Sequence, residues 1–213
     1  PRSVCCSRYG ISQHPFTFLF LGNIGPVAGV DFLIKAFAEA DISNAQLLIV
    51  GDGAAKFHCV TLAKQLNQSH VFFISDSQAA NVPTLQSIAH VCMLPMKRGA
   101  GMSSIPSKLP SYLFSAKPVI ATVDLDSDTA RFVRQAECGW VGEAEDLNWL
   151  SNKMKEVMSV VDRLHADRSI PVLLEGETGT GKEIIARLIH YGPGDVTTPF
   201  VSINCSAITS NLF

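Results

Sequence analysis

Six short apolar runs, each separated from the next by a stretch of helical periodicity, restrict the architecture of this 213-residue chain more than any other feature. They are "FTFLFL" (16–21), "QLLIV" (46–50), "VFFI" (71–74), "HVCMLP" (90–95), "PVIAT" (118–122) and "GWVG" (139–142). A strand with one wet face alternates apolar and polar residues. Runs that stay apolar at successive positions, rich in β-branched and aromatic side chains, instead fit strands covered on both faces, as in a parallel sheet. Between them "VDFLIKAFAEA" places Phe32, Leu33, Ala36 and Phe37 at helical spacing, and "AAKFHCVTLAKQLNQ", "PTLQSIA", "KLPSYLFS" and "DLNWLSNKMKEVMS" supply further helical segments. Strand and helix taking turns predicts an α/β fold, a parallel sheet with helices on both faces. With 47 % hydrophobic and 17 % charged residues, the chain has enough apolar surface to offset the entropy of ordering such a core.

The 17 basic and 19 acidic residues are interspersed, for a net charge of −2, so no long-range field favours nucleic acid, and no direct nucleic-acid binding is expected. The longest apolar stretch is far short of the roughly 18 to 20 residues of a membrane span, and the N-terminus lacks a signal-peptide pattern. A cytoplasmic protein without a transmembrane segment is the expectation. Cys5, Cys6, Cys59, Cys92, Cys138 and Cys205 form no CxxC pair, and the six histidines have no metal-ligand spacing, so no metal site is expected. Most of these thiols lie in or beside apolar runs, where cysteine behaves as a small hydrophobe.

In a doubly wound sheet, ligands lodge at the carboxyl ends of the strands. After the first run comes "LGNIGPVAG", in which Gly22, Gly25 and Gly29 permit close backbone approach before a helix begins near Val30. After the second comes "VGDGAA", with Asp52 between Gly51 and Gly53. Further on, Ser103, Ser104, Ser107 and Lys108 open a short helix and offer hydroxyls and an ammonium to an anion. Asp124, Asp126 and Asp128 in "DLDSD" read as a solvated loop or helix cap close enough to the crevice to reach a sugar hydroxyl.

Taken in order, "LGNIG", "LLIVGDG" and "PSKLPSYLFSAKPVIA" ending in "GWVG" resemble the C-terminal, donor-binding half of GT-B glycosyltransferases of family 4, over residues 16–158. The resemblance implies a Rossmann-like domain that holds a nucleoside diphosphate sugar, with retaining transfer in a cleft closed by a separate acceptor domain or partner. On that reading Gly22, Asn23 and Gly25 approach the diphosphate, Gly51, Asp52 and Gly53 shape the nucleotide end, and Ser107 with Lys108 meets phosphate. Asn23 and Ala28 stand where many members carry basic residues, and the family's paired glutamates fall near Ser104 and Ser111, so the catalytic residues stay unassigned. Residues 1–15 are expected to form a loose N-terminal segment.

A second pattern follows. "PVLLEGETGTGKEIIARLIH" reads as a buried strand, a glycine-rich turn and an amphipathic helix, the setting a P-loop requires. Gly176, Glu177, Thr178, Gly179, Thr180 and Gly181 would turn backbone N–H groups toward phosphate, and Lys182 would add a point charge. Glu183 takes the place where Ser or Thr would hold magnesium. "GETGTGKE", then "IARLIH" and "PFVSINCSAI", resemble the opening of the AAA+ domain of sigma-54-dependent transcriptional activators, over residues 161–213. That resemblance implies ATP, with magnesium, as a ligand. The expected organisation is a donor-binding domain (16–158) followed by an incomplete P-loop α/β fragment (159–213). Three functions stay open: a donor-binding glycosyltransferase half, an ATP-binding piece of a transcriptional regulator, or a chimera in which neither part acts.

Overall fold

The computed structural model describes residues 2–12, 14–75, 81–101 and 105–166, together with positions 172, 186, 189 and 190. Ser103, Ser104 and the glycine-rich stretch 176–183 lie outside the described residues. The six apolar runs are strands: β1 (Phe16–Leu21), β2 (Ala45–Val50), β3 (Val71–Ile74), β4 (Val91–Pro95), β5 (Val119–Val123) and β6 (Gly139–Glu143). All pair in parallel in the order β3-β2-β1-β4-β5-β6. The helices are α1 (Arg2–Tyr9), α2 (Val30–Ala40), α3 (Lys56–Gln65), α4 (Val82–Ser87), α5 (Lys108–Phe114), α6 (Asp128–Gln135) and α7 (Leu147–Ala166).

The two-residue period of each strand divides the core into two layers. Phe16, Phe18 and Phe20 of β1, with Leu47 and Ile49 of β2, face α2, α3 and α7. Leu19, Leu48, Val50, Cys92 and Leu94 face the other way, toward α1, α4, α5 and α6. Each layer is apolar, which is why the strands read as continuous hydrophobic runs. Burial also fixes the thiols: it pushes Cys92 up to about 12 and, together with the nearby Asp31 carboxylate, Cys59 up to about 11.

Two observations bear on the expected organisation. In the N-terminal segment Arg2–Tyr9 form α1, and Cys6 and Ile11 are buried against the second layer. The boundary expected after residue 158 falls inside α7, which continues unbroken to Ala166. Leu150, Met154 and Met158 are buried beside α2, with Val157 and Val161 packed against the same layer, so this helix belongs to the sheet past the expected limit.

Candidate functional site

The order of the strands places a reversal between β1 and β4. The chain leaves β1 toward α2 in one layer and leaves β4 toward α5 in the other, so the ends of these two neighbours diverge and a crevice opens between them. The pairing shows the divergence: β1 and β4 are in register only at Phe18↔Val91 and Leu19↔Cys92. On the opposite side β1 stays zipped to β2 as far as the turns, where Gly22 N–H donates to Val50 at 2.9 Å and Ile24 N–H to Asp52 at 2.9 Å.

Those last bonds explain the two glycine turns. A Cβ on Gly51 would lie 2.0 Å from the Gly22 carbonyl oxygen, and one on Gly53 would lie 2.5 Å from that of Ile24. The φ angles there are 139° and 155°. Gly51 and Gly53 therefore serve first to let the turn after β2 lie against the turn after β1. Asp52 is held by Lys56, whose ammonium is 2.6 Å from the carboxylate and 3.0 Å from the Gly51 carbonyl and also bonds Ser75. Of the residues expected to bind a donor, Gly22, Asn23, Gly25, Gly51, Asp52 and Gly53 form one continuous rim along the ends of β1 and β2.

Across the crevice, Ser107 and Lys108 part company. Ser107 is exposed and lines a shallow cleft of about 490 Å³ between α4 and α5. Lys108 turns inward. Its Cε and Nζ lie 3.6 and 3.7 Å from where a Cβ on Gly22 would stand, and the ammonium sits 4.0 Å from the centroid of the Phe20 ring. Among the described residues it makes no hydrogen bond or ion pair. Desolvation by this burial lowers it from the ordinary lysine value of 10.5 to about 8. A cation taken partly out of water with only an aromatic face for company is unsatisfied in a way that an anion would relieve.

One turn further along α5, Tyr112 is fully buried. Its hydroxyl accepts from Leu21 N–H at 3.0 Å and stands 3.2 and 3.4 Å from the carbonyl oxygens of Leu21 and Met93, to one of which it donates. These are peptide groups that the diverging strands leave unpaired. Burial, with Cys92 beside it, holds the phenol well above its usual range, so it stays neutral.

Two cations at the rim escaped the reading of the sequence. Lys97 pairs with Asp31 of α2 at 3.3 Å, and Arg98 reaches Glu143 at 3.8 Å. "MLPMKRGAG", two cations directly after a strand, was the available signal. Asp124, considered for a sugar contact, instead accepts Gly99 N–H with both oxygens, at 2.8 and 3.1 Å, and latches this turn. Ser127 caps α6 by accepting from Ala130 N–H, and Asp128 pairs with Arg131. Among the described residues there is no cluster of His, Cys, Asp and Glu able to hold a metal ion, and no helix is long and apolar enough to cross a membrane.

Comparison with known proteins adds two matches. Residues 7–166 match the family of glycosyl transferases group 1, and residues 147–213 match the sigma-54 interaction domain. The two overlap over 147–166, the span of α7. The Nif-specific regulatory protein of Herbaspirillum seropedicae is 44 % identical over 63 residues, which is 30 % of this chain and 11 % of that protein. The fold is similar to that of WaaG, a glycosyltransferase involved in lipopolysaccharide biosynthesis (TM-score 0.59, 24 % identity, 74 % of this chain and 42 % of WaaG). It is also similar to Anabaena HepE, solved in complex with UDP and glucose (TM-score 0.63, 15 % identity, 76 % of this chain and 43 % of HepE). The chain thus spans about a tenth of that regulator and less than half of either transferase.

Proposed function

The chain belongs to the glycosyl transferases group 1, and from that premise we propose that it binds a nucleoside diphosphate sugar in the crevice between β1 and β4. The observation that carries this reading is the Lys108 ammonium, half-buried over Phe20 and facing Gly22 with no anionic partner among the described residues. A diphosphate lying along the rim from Gly22 to Gly25 would meet this charge and the backbone of the turn together. Charge-assisted bonds to phosphate are the strong class of hydrogen bond, and the site is drier than bulk water. Asn23, whose side chain borders both Gly25 and Gly53, would contribute at the same rim, and Gly51 to Gly53 would shape the nucleotide end by supporting it. Ser107 would reach the ligand from the α4–α5 side.

Residues 16–158 would form the donor side of a cleft that an acceptor-binding domain or partner closes, with sugar transfer, retaining in outcome, taking place between them. A role in surface-polysaccharide synthesis and a cytoplasmic setting go with this reading. The test is calorimetric titration of UDP, UDP-glucose and GDP-mannose into the 213-residue protein and its Lys108→Met variant. Binding by the wild type that the variant weakens at least tenfold is the expected result. Undiminished binding by the variant would remove Lys108 from the site.

A second ligand is favoured by the sigma-54 interaction domain match over residues 147–213. We propose that Gly176 to Glu183 bind ATP, with Lys182 on the outer phosphates and magnesium held without a hydroxyl at position 183. The residues beyond α7 would then form a nucleotide-binding unit distinct from the sheet. ATP binding abolished by Lys182→Ala and untouched by Lys108→Met is expected; ATP that competes with UDP would argue for one shared site.

A further inference from the structure

The Lys108 side chain lies beside Gly22, just past the point where the β1–β4 register ends at Leu19 and Cys92. Parallel neighbours normally continue their ladder, since every peptide group left unpaired in a buried place costs free energy. Here the Leu21 N–H and C=O face β4 without a β4 partner, and the Tyr112 hydroxyl stands in for one, with Met93 of β4 on its far side. Tyr112 lies four residues after Lys108, which puts the two on one face of α5.

We propose that Tyr112 is a positioning residue: its hydroxyl satisfies the Leu21 peptide groups, keeps the β1–β4 seam parted, and thereby seats the Lys108 side chain over Phe20 and Gly22. The seating rests on geometry alone. Its consequence for ligand binding rests on the donor reading above.

The position of Lys108 has its own reporter. Burial holds its ammonium at about 8 instead of 10.5, and the titratable groups beneath α5 do not interfere, because Cys92 is pushed up to about 12 and Tyr112 well above its usual range. A Lys108 that loses its seat returns to water and titrates like an ordinary lysine.

The experiment is a ¹³Cε titration of Lys108 in the full chain, its resonance assigned with Lys108→Met, for wild type, Tyr112→Phe and Val133→Ala. Val133 is buried in the same layer on α6 and serves as a destabilised control that leaves the hydroxyl in place. The wild-type midpoint is expected near 8, with that of Tyr112→Phe higher by about one unit or more and that of Val133→Ala unmoved. UDP affinity should drop about tenfold in Tyr112→Phe and stay unchanged in Val133→Ala, while uridine, lacking the diphosphate, should bind all three alike. A wild-type midpoint in the ordinary lysine range, an unmoved midpoint in Tyr112→Phe, or an equal shift in the control overturns the seating. Should Tyr112→Phe fail to fold, hydrogen exchange of the wild-type Leu21 amide decides: protection equal to that of Phe20 supports the bond, and exchange at the rate of an open amide overturns it. If wild type binds no UDP, the donor reading fails, and the titration still judges the role of Tyr112.

Discussion

At the scale of single residues, Lys108 is where stability and binding oppose each other. The unfolded chain keeps this proton up to 10.5 and the folded chain only to about 8, so between those values the unfolded state binds more protons. The contribution of Lys108 to stability therefore rises with pH across that window, and the penalty for burying the charge is fully present below pH 8. Lys108→Met is expected to raise the urea midpoint at pH 7 and to lose that advantage by pH 11, as paired denaturation curves would show. Binding runs the other way. Affinity for UDP should fall as pH rises through about 8, and complex formation at pH 8 should take up about half a proton per site, visible as a buffer-dependent calorimetric enthalpy. Gly51 is the other sensitive position. At φ 139°, and with the Gly22 carbonyl in the path of any Cβ, Gly51→Ala should cost roughly 1–3 kcal/mol from backbone strain alone, measurable by chemical denaturation.

At the scale of elements, α7 and α5 make a useful contrast. The α7 side chain Met154 is fully buried between the sheet and α2. Met154→Ala is expected to destabilise by about 2–5 kcal/mol, the range for a large core side chain whose cavity only partly collapses. Phe114, at the end of α5, is 92 % exposed, and Phe114→Ser should change the unfolding free energy by less than about 0.5 kcal/mol. Helix α6 depends on its N-cap: Ser127→Ala removes the acceptor for Ala130 N–H and should cost about 1 kcal/mol. All three values are accessible from the same urea titration.

At the scale of the whole molecule, α7 is the element that the two family matches share, over residues 147–166. Its packing decides which part it serves, because the apolar stripe from Leu150 to Val161 lies on the first core layer. Every strand of the described sheet lies between Phe16 and Glu143, and both core layers are complete by α7. A chain ending at Ala166 is accordingly expected to keep the thermal midpoint of the sheet and its UDP affinity while losing ATP binding. A fall in the midpoint of more than a few degrees would show that residues beyond 166 support the sheet.

What the sequence determined by itself was the class of fold and the place of each strand of the described sheet, because strand identity is a local property: an apolar run between turn residues carries its own signal. The run 16–21 is β1 to the residue, and the other five differ from the observed strands by no more than one residue at either end. Helices α1 and α6 escaped; in α6 the buried residues are Thr129, Ala130 and Val133, of which only Val133 is a sizeable apolar side chain, so no apolar stripe stands out in its letters. The rim glycines and Lys108 were also legible, since glycine after a strand and a cation at a helix start are patterns of neighbouring letters. Tertiary structure alone decided which corner faces which. Strand order is a non-local choice, and it was this choice that parted β1 from β4, sent Ser107 and Lys108 to different sides of α5, and brought the Tyr112 hydroxyl to a peptide group 91 residues away.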